Sequence, residues 1–299
     1  MKRWLKALGI KFFRTLGPLI PGRACRSMLR RRVFPMLMDK RVVPNTYQPM
    51  RTRECRSLLL ANPYVYAHHT IFWFRRFYES HTTRFLRSTL KPGGTLIDIG
   101  MNLGHFSTLG AELVGSGGRV IAFEPNPKLC ELVGGHLRSQ GLTRVDIRNC
   151  ALGPEEGSVT LTIPGGAVGS SFVSEITNRG AGVEDERVAV PMRIGSNELA
   201  SVAADDLVIK LDVEGAELEV LRGLEPVLRD QVKAAQIEIS PEWLGMEKME
   251  QMQELLTRCG FEILGACASG QPHPIRIDSI ESQRDVWCVK PGRVDSFGS

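Results

Sequence analysis

The sequence predicts an α/β fold, a doubly wound and mostly parallel sheet with an antiparallel edge hairpin, preceded by a basic helical N-terminal extension. Three observations carry this expectation. From Thr95 onward, short β-branched runs alternate with helically spaced apolar residues. Glycine-bearing turns stand where those runs give way to helices, at 98–104 and 210–217. Basic charge is crowded into residues 1–60, which hold 15 Lys and Arg against only Asp39 and Glu54, although the net charge of the 299-residue chain is just +5.

That asymmetry reads as a basic arm on an acidic domain, with an anionic partner for the arm. At helical periodicity, residues 1–16 place Trp4, Leu5, Leu8, Phe12 and Leu16 on one face. Lys2, Arg3, Lys6 and Arg14 fall opposite, with Lys11 on the flank, and Pro18 and Pro21-Gly22 end the helix. Arg23, Arg26 and Arg30–Arg32 continue the charge. A helix of this kind suits the surface of an anionic membrane, and the plainer alternative is docking on the protein's own domain. Nucleic acid is set aside, because no stacking platform or recognition module accompanies the charge.

Residues 61–92 predict a helical cap region, with aromatics and Arg mixed without strand alternation over 71–90. The domain proper is expected over 93–299. Its first strand is Thr95–Ile99, followed by a helix carrying Phe106, Leu109, Leu113 and Val114. The second strand is Arg119–Phe123, its helix is marked by Leu129, Leu132, Val133 and Leu137, and the third strand is Val145–Ala151. Between about 153 and 195, SVTLTI and RVAVPMRI predict a hairpin-rich insertion. The alternation resumes with LVIKL at 207–211, a helix bearing Val220, Leu221, Leu224, Val227 and Leu228, the strand AAQIEI, and a helix from about Gly245 to Cys259. FEILGA and DVWCVK then read as the edge hairpin.

Composition excludes several classes. With 42% hydrophobic and 24% charged residues, the chain is an ordinary globular one rather than disordered or collagen-like. Charges interrupt any secretory leader, and Ser57–Phe74, one of the two longest stretches without formal charge, contains Asn62-Pro63 and His68-His69, which argues against a spanning helix. Seven cysteines without a C-x-x-C pair point to a reducing, cytoplasmic compartment, and peripheral association would then be with the inner face of a membrane. The six histidines never approach ligand spacing with carboxylates, so no metal is assigned. Met246, Met249 and Met252 form a stripe expected to pack in the core.

Two constellations carry chemistry. In Asp98-Ile99-Gly100-Met101-Asn102-Leu103-Gly104, the glycines permit close backbone approach at a strand-to-helix turn. A dinucleotide enzyme shares such a turn, but a carboxylate at 98 would repel phosphates and welcome an ammonium group. Glu124, 26 residues on at the end of the second strand, is placed to accept both hydroxyls of a ribose. A ligand with an amino-acid end and a nucleoside end is S-adenosylmethionine. The second constellation is Lys210-Leu211-Asp212-Val213-Glu214-Gly215-Ala216-Glu217. If its strand is the fourth of the parallel set, it lies beside the first, and Asp212 faces the switch point where ligands bind. Glu214 and Lys210 divide evenly between function and structure, Glu214 and Glu217 suit a helix N-terminus, and Glu238 is a third acidic strand end on the same side.

LIDIGMNLGHFS, VIAFEPNP, ALGPEEGSVTL with Gly169-Ser170-Ser171, and above all VIKLDVEGAELEVLRG resemble the FkbM family of class I methyltransferases over about residues 90–240. The resemblance implies a Rossmann-like methyltransferase sheet, S-adenosylmethionine as methyl donor, and O-methylation of a sugar, glycolipid or secondary-metabolite hydroxyl, with a small-molecule, glycan or lipid-linked acceptor. It implies that Asp98, Gly100, Asn102 and Gly104 hold the methionine end, Glu124 the ribose, and Asn149-Cys150-Ala151 the adenine edge. Asp212 stands where the family places the acceptor-side acid, with Glu238 as the other candidate base. Two departures are Met101, where a small residue is usual, and Ser196-Asn197, where Leu-Asp is common. The alternatives are a catalytically silent module of the same fold at a membrane, and a nicotinamide-dependent oxidoreductase, which Asp98 disfavours.

Overall fold

The alternation of strands and helices runs through His81–Ser299, one of two compact units into which the chain divides, the other being Met1–Ser80. The computed structural model describes residues 3–20, 22–65, 68–77, 79–165, 171–174, 176, 182, 184–202, 207–266 and 271–292, without the side chains of Arg3 and Arg23. Lys2, Gly169, Ser170 and Cys267 therefore lie outside the described residues.

In the first unit, α1 (Arg3–Leu16) and α2 (Arg23–Met28) are followed by a π-helical turn over Leu29–Val33 and by α3 (Phe34–Leu37). β1 (Gln48–Arg51) pairs antiparallel with β2 (Leu58–Ala61), and α4 (His69–Phe74) closes the unit. Residues 1–60 are thus more than an arm, because with 61–80 they build a core of their own. Phe34 stacks on Trp73 with ring centroids 4.3 Å apart, and Leu59, Ile71 and Phe72 are buried with them. The helix expected over 71–90 is broken. α4 ends at Arg75, whose φ of 52° is left-handed, and α5 (Ser80–Thr89) begins five residues later.

α1 sits on this unit in an unusual sense. Its inward side is the one carrying cations: Ile10 is buried, Lys6 pairs with Asp39 at 3.5 Å, and Arg14 lies 5.1 Å from the centre of the Phe72 ring. Phe13 meets Phe34 edge to face at 5.3 Å. The apolar face of Trp4, Leu5, Leu8, Phe12 and Leu16 points to solvent.

The second unit is built on a seven-stranded sheet in the order β12-β13-β11-β10-β3-β4-β5. β3 (Thr95–Ile99), α6 (His105–Val114), β4 (Arg119–Phe123), α7 (Pro127–Ser139) and β5 (Val145–Arg148) lie on one side of the switch. β10 (Leu207–Leu211), α9 (Glu217–Asp230), β11 (Val232–Ile239), α10 (Pro241–Leu244), α11 (Met246–Arg258), β12 (Glu262–Gly265) and β13 (Arg284–Val289) lie on the other. The strands from β5 to β11 are parallel and wholly or largely apolar, as a sheet covered on both faces requires. Met249 and Met252 are core residues, whereas Met246 is exposed.

Two expectations are corrected here. The third strand ends at Arg148, and β6 (Ala151–Gly153) leaves for a second sheet. That sheet joins β6 in parallel to β9 (Glu186–Ile194), and β9 in antiparallel to β7 (Gly157–Ile163), which β8 (Phe172–Val173) flanks. A short α8 (Gly195–Leu199) leads out of it. The edge hairpin forms, with β12 at the sheet edge antiparallel to β13, but its connection is long, residues 266–283, rather than short, and β13 in turn pairs antiparallel with β11. An apolar strand such as DVWCVK gives no local sign of which edge it will pair.

Candidate functional site

The chain lays β4 and β5 to one side of β3 and then returns to place β10 on the other side, with Lys210 opposite Asp98 and Leu211 opposite Ile99. At the carboxyl ends of these two strands the connections diverge and leave a crevice. A cleft with a cavity volume of about 70 Å³ opens there. Gly100, Asn102, Glu124, Cys150, Ala151, Asp212 and Glu214 line it, so most of the residues expected at the site do meet. Leu129, Leu161, Ser171, Phe172, Val173 and Val220 also line it, and none of these six was expected as a site residue. Phe172 and Val173 come from the two-residue strand of the second sheet, too short for any periodicity to reveal.

The two connections touch through their backbones. Gly100 has φ of 78°, and a Cβ built on it would stand 1.8 Å from the Asp212 carbonyl oxygen. Only glycine fits that approach. Asn102 and Glu214, one in each connection, are non-glycine residues with positive φ, at 52° and 56°. Strain of this kind gathers where surrounding contacts hold a site in place.

Glu124 is buried at the end of β4. Its Oε2 accepts from the Asn102 N–H at 2.8 Å and its Oε1 from the Asn126 N–H at 2.9 Å. The carboxylate therefore shapes the loop after β3, and each oxygen keeps a second lone pair for a ligand. Burial pushes the Glu124 carboxyl up to about 7, against the pull of those two amides.

Asp98 differs from its expected role. It is completely buried and does not line the cleft. Ser107 Oγ donates to its Oδ2 at 2.5 Å, and Lys210 Nζ stands 4.0 Å from its Oδ1, which has no hydrogen-bond partner. Burial raises its pKa, with Lys210 opposing. Asp98 is a brace under the loop. Ser107 was missed, since it lies in a helix with no pattern linking it to residue 98. Gly104 likewise stays out of the cleft. As the N-cap of α6 it has φ of 68°, and a Cβ there would come within 2.5 Å of Val133.

Lys210, expected as a catalytic candidate, is buried and does not line the cleft. Its Nζ donates to the Gly100 carbonyl and to Asp212 Oδ2, each at 3.1 Å, tying the two connections together. Asp212 remains partly exposed to the cleft, with 27% of its side chain accessible. Glu238 does not line the cleft; it stands behind Asp212, hydrogen-bonded to it. Burial, the Asp212 charge and Asp285 push the Glu238 carboxyl up to about 10, and Gln283 Nε2 donates to its Oε1 at 2.8 Å. With its carboxyl pushed up, Glu238 donates its hydrogen bond to Asp212. Asp285, opposite Glu238 in the sheet and paired with His81, was missed because only the insertion of β13 brings it here. Glu217, expected as dipole complement, stands in the first turn of α9. Its Oε1 accepts from the Val213 and Gly215 N–H groups at 3.2 and 3.1 Å, and burial pushes it up to about 7. No cluster able to hold a metal ion occurs among the described residues.

Comparison with known proteins decides what this architecture belongs to. The sequence profile described as the methyltransferase FkbM domain matches residues 98–263, more than half of the chain. The chain belongs to the FkbM methyltransferase family. Methyltransferase sdnD of Sordaria araneosa is 28% identical over 195 residues, covering 56% of this chain and 73% of that protein. Methyltransferase 1 of Beauveria bassiana (strain ARSEF 2860) is 30% identical over 145 residues, 44% of this chain and 58% of that protein. The FkbM methyltransferase structure from Methylobacillus flagellatus KT superposes with a TM-score of 0.42 at 16% identity, covering 75% of this chain and 53% of that one. The FkbM match begins at Asp98 and ends at Ile263, so it takes in both cleft connections and leaves Met1–Ser80 outside. Family membership sets aside the oxidoreductase alternative.

Proposed function

We propose that this FkbM methyltransferase uses S-adenosylmethionine to methylate a hydroxyl oxygen on a sugar, glycolipid or secondary metabolite. The observation that carries the reading is Asp212. It opens into the cleft beside the Glu124 wall, with Lys210 on one side and a proton-bearing Glu238 on the other.

The residues present fit the cofactor. Glu124 has lone pairs facing the cleft, where two ribose hydroxyls would satisfy it, and Cys150 and Ala151 offer an apolar edge for adenine. Gly100 and Asn102 give the close backbone approach that a methionine end needs, with Asp98, Ser107 and Gly104 holding that loop from behind. When bound, the cofactor supplies an already activated methyl group, so the protein's work is positioning and proton removal. Asp212 accepts the proton of the acceptor hydroxyl as its oxygen becomes nucleophilic. Lys210 keeps the Asp212 carboxylate oriented, and Glu238 donates to it without competing for the proton. Apolar Phe172, Val173 and Leu161 keep water from the reacting oxygen. The described cysteines, all free, belong in this reading with a reducing, cytoplasmic setting.

The test is incubation of the full chain with methyl-labelled donor and separated sugar, glycolipid and small-metabolite fractions. The expected product carries label as a methyl ether. Label found on nitrogen or carbon overturns the oxygen assignment, and donor binding without transfer to any fraction favours a silent module.

A further inference from the structure

The outward face of α1 is the largest feature that the methyltransferase reading leaves unused. Trp4, Leu8 and Phe12 are 62%, 60% and 54% exposed, Leu5 and Leu16 flank them, and Leu19 beyond Pro18 extends the stripe at 69%. Six large apolar side chains in one row exceed the scattered exposure that a soluble surface tolerates. The helix is not loose. On its inner side Gly9 and Gly17 allow close approach, since a Cβ at Gly17 would stand 1.9 Å from the Trp73 carbonyl, and Ile10 and Phe13 pack into the unit. Rotating the helix to hide the stripe would break the Lys6–Asp39 pair and lift Arg14 from Phe72.

Charge identifies the occupant. Met1–Ser80 holds 17 Lys and Arg against Asp39, Glu54 and Glu79. Lys11 and Thr15 border the stripe, exposed, and Arg31, Arg32 and Lys40 are exposed elsewhere on the unit. A rigid apolar row with Trp and Phe, on a strongly basic body, matches one environment well: the headgroup boundary of an anionic bilayer. A protein partner would bury the row but has no need of the charge, and nucleic acid has use for the charge but not for leucines.

We propose that the Trp4–Leu19 face of α1 inserts into the interfacial layer of an anionic lipid bilayer, with the basic surface of Met1–Ser80 held against the headgroups. No helix among the described residues is long and apolar enough to cross a membrane, so attachment would be from one side. The proposal is independent of which acceptor the cleft takes.

The full chain should sediment with vesicles of phosphatidylcholine mixed with phosphatidylglycerol and be partly released by salt, while vesicles of phosphatidylcholine alone bind it weakly. The double variant Leu8→Glu, Phe12→Glu removes two exposed side chains, so its thermal transition should match the wild type. Its vesicle affinity should fall on the order of a hundredfold or more, from the lost apolar burial alone. Brominated acyl chains should quench Trp4 emission, read in a Trp243→Phe background because Trp243 is half-buried; Trp73 and Trp287 are buried. Equal sedimentation of wild type and double variant overturns the proposal, as does binding indifferent to lipid charge. Sedimentation velocity showing a dimer that the double variant dissolves, without vesicle binding, would assign the face to a second copy. Displacement of the protein from vesicles by DNA, with the double variant binding DNA equally well, would assign the charge to nucleic acid.

Discussion

The connections after β3 and after β10 are built from similar parts and do different work. Each joins a parallel strand to a helix, each contains a glycine with positive φ, and each holds one non-glycine residue, Asn102 or Glu214, in the left-handed region. In the first, the charged groups face inward. Asp98 is sealed beneath the loop, and the loop offers the cleft mostly backbone. In the second, Asp212 and Glu214 face the cleft while Glu217 is tucked under. A strand-to-helix turn can therefore serve as a mould or as a reagent, and burial of its carboxylates distinguishes the two. Lys210, reaching Gly100 O and Asp212 Oδ2 at once, makes the two connections one unit.

The sharpest way to break this division is at Asp212. Asp212→Asn keeps the size and removes the basicity, and kcat should fall about 10²- to 10⁴-fold with cofactor affinity little changed. Near-normal turnover would leave the second connection with a positioning role only. Next is Gly100→Ala, which adds a Cβ into the Asp212 carbonyl at a left-handed φ. It should destabilise the fold by roughly 2–4 kcal/mol, read as a lowered denaturant midpoint, and weaken both cofactor binding and turnover. Glu124→Ala should weaken cofactor binding by about 1.5–3 kcal/mol in calorimetry, since a buried acceptor of two hydroxyls is lost.

Proton linkage gives a finer test. Cofactor hydroxyls donate to ionised Glu124, so binding should strengthen as pH rises through about 7 and release protons below it. Calorimetry in two buffers of different ionisation enthalpy measures that release. Smallest is the effect at Glu217, whose folded pKa of about 7 lies above the ordinary 4.5. Its contribution to stability is fully present below about pH 4.5 and lost as pH rises through about 7. Glu217→Gln should cancel that loss, gaining on the order of 1–3 kcal/mol at pH 8 relative to pH 5 in paired denaturant titrations.

Much of this was legible in the order of residues. Strand-end positions placed Glu124 and Asp212 on one crevice, because a parallel sheet sends all its carboxyl ends to one edge. What the residues could not disclose is depth. Asp98 and Glu124 are both strand-end acids, yet Glu124, two positions beyond the residue that pairs with Asp98, reaches the cleft, whereas Asp98 is capped by Ser107. The same holds for α1. Its periodicity identified the apolar face correctly, but which face turns inward depended on Gly9, Gly17 and Asp39. Ala151 was expected at the cleft and lies there, although its strand belongs to a different sheet from the one expected.

The place of β13 in the sheet bears on how the protein is made. A ribosome delivers β11 and β12 first, and neither can pair with the other in the final order, because β13 belongs between them. Until residues 284–289 emerge, β11 presents an open apolar edge that any extended segment can join. The strand that fills the slot aligns Asp285 with Glu238, behind Asp212. Nascent chains stopped before β13 would thus carry the loop after β3 while Glu238, behind Asp212, still lacks its Asp285 neighbour.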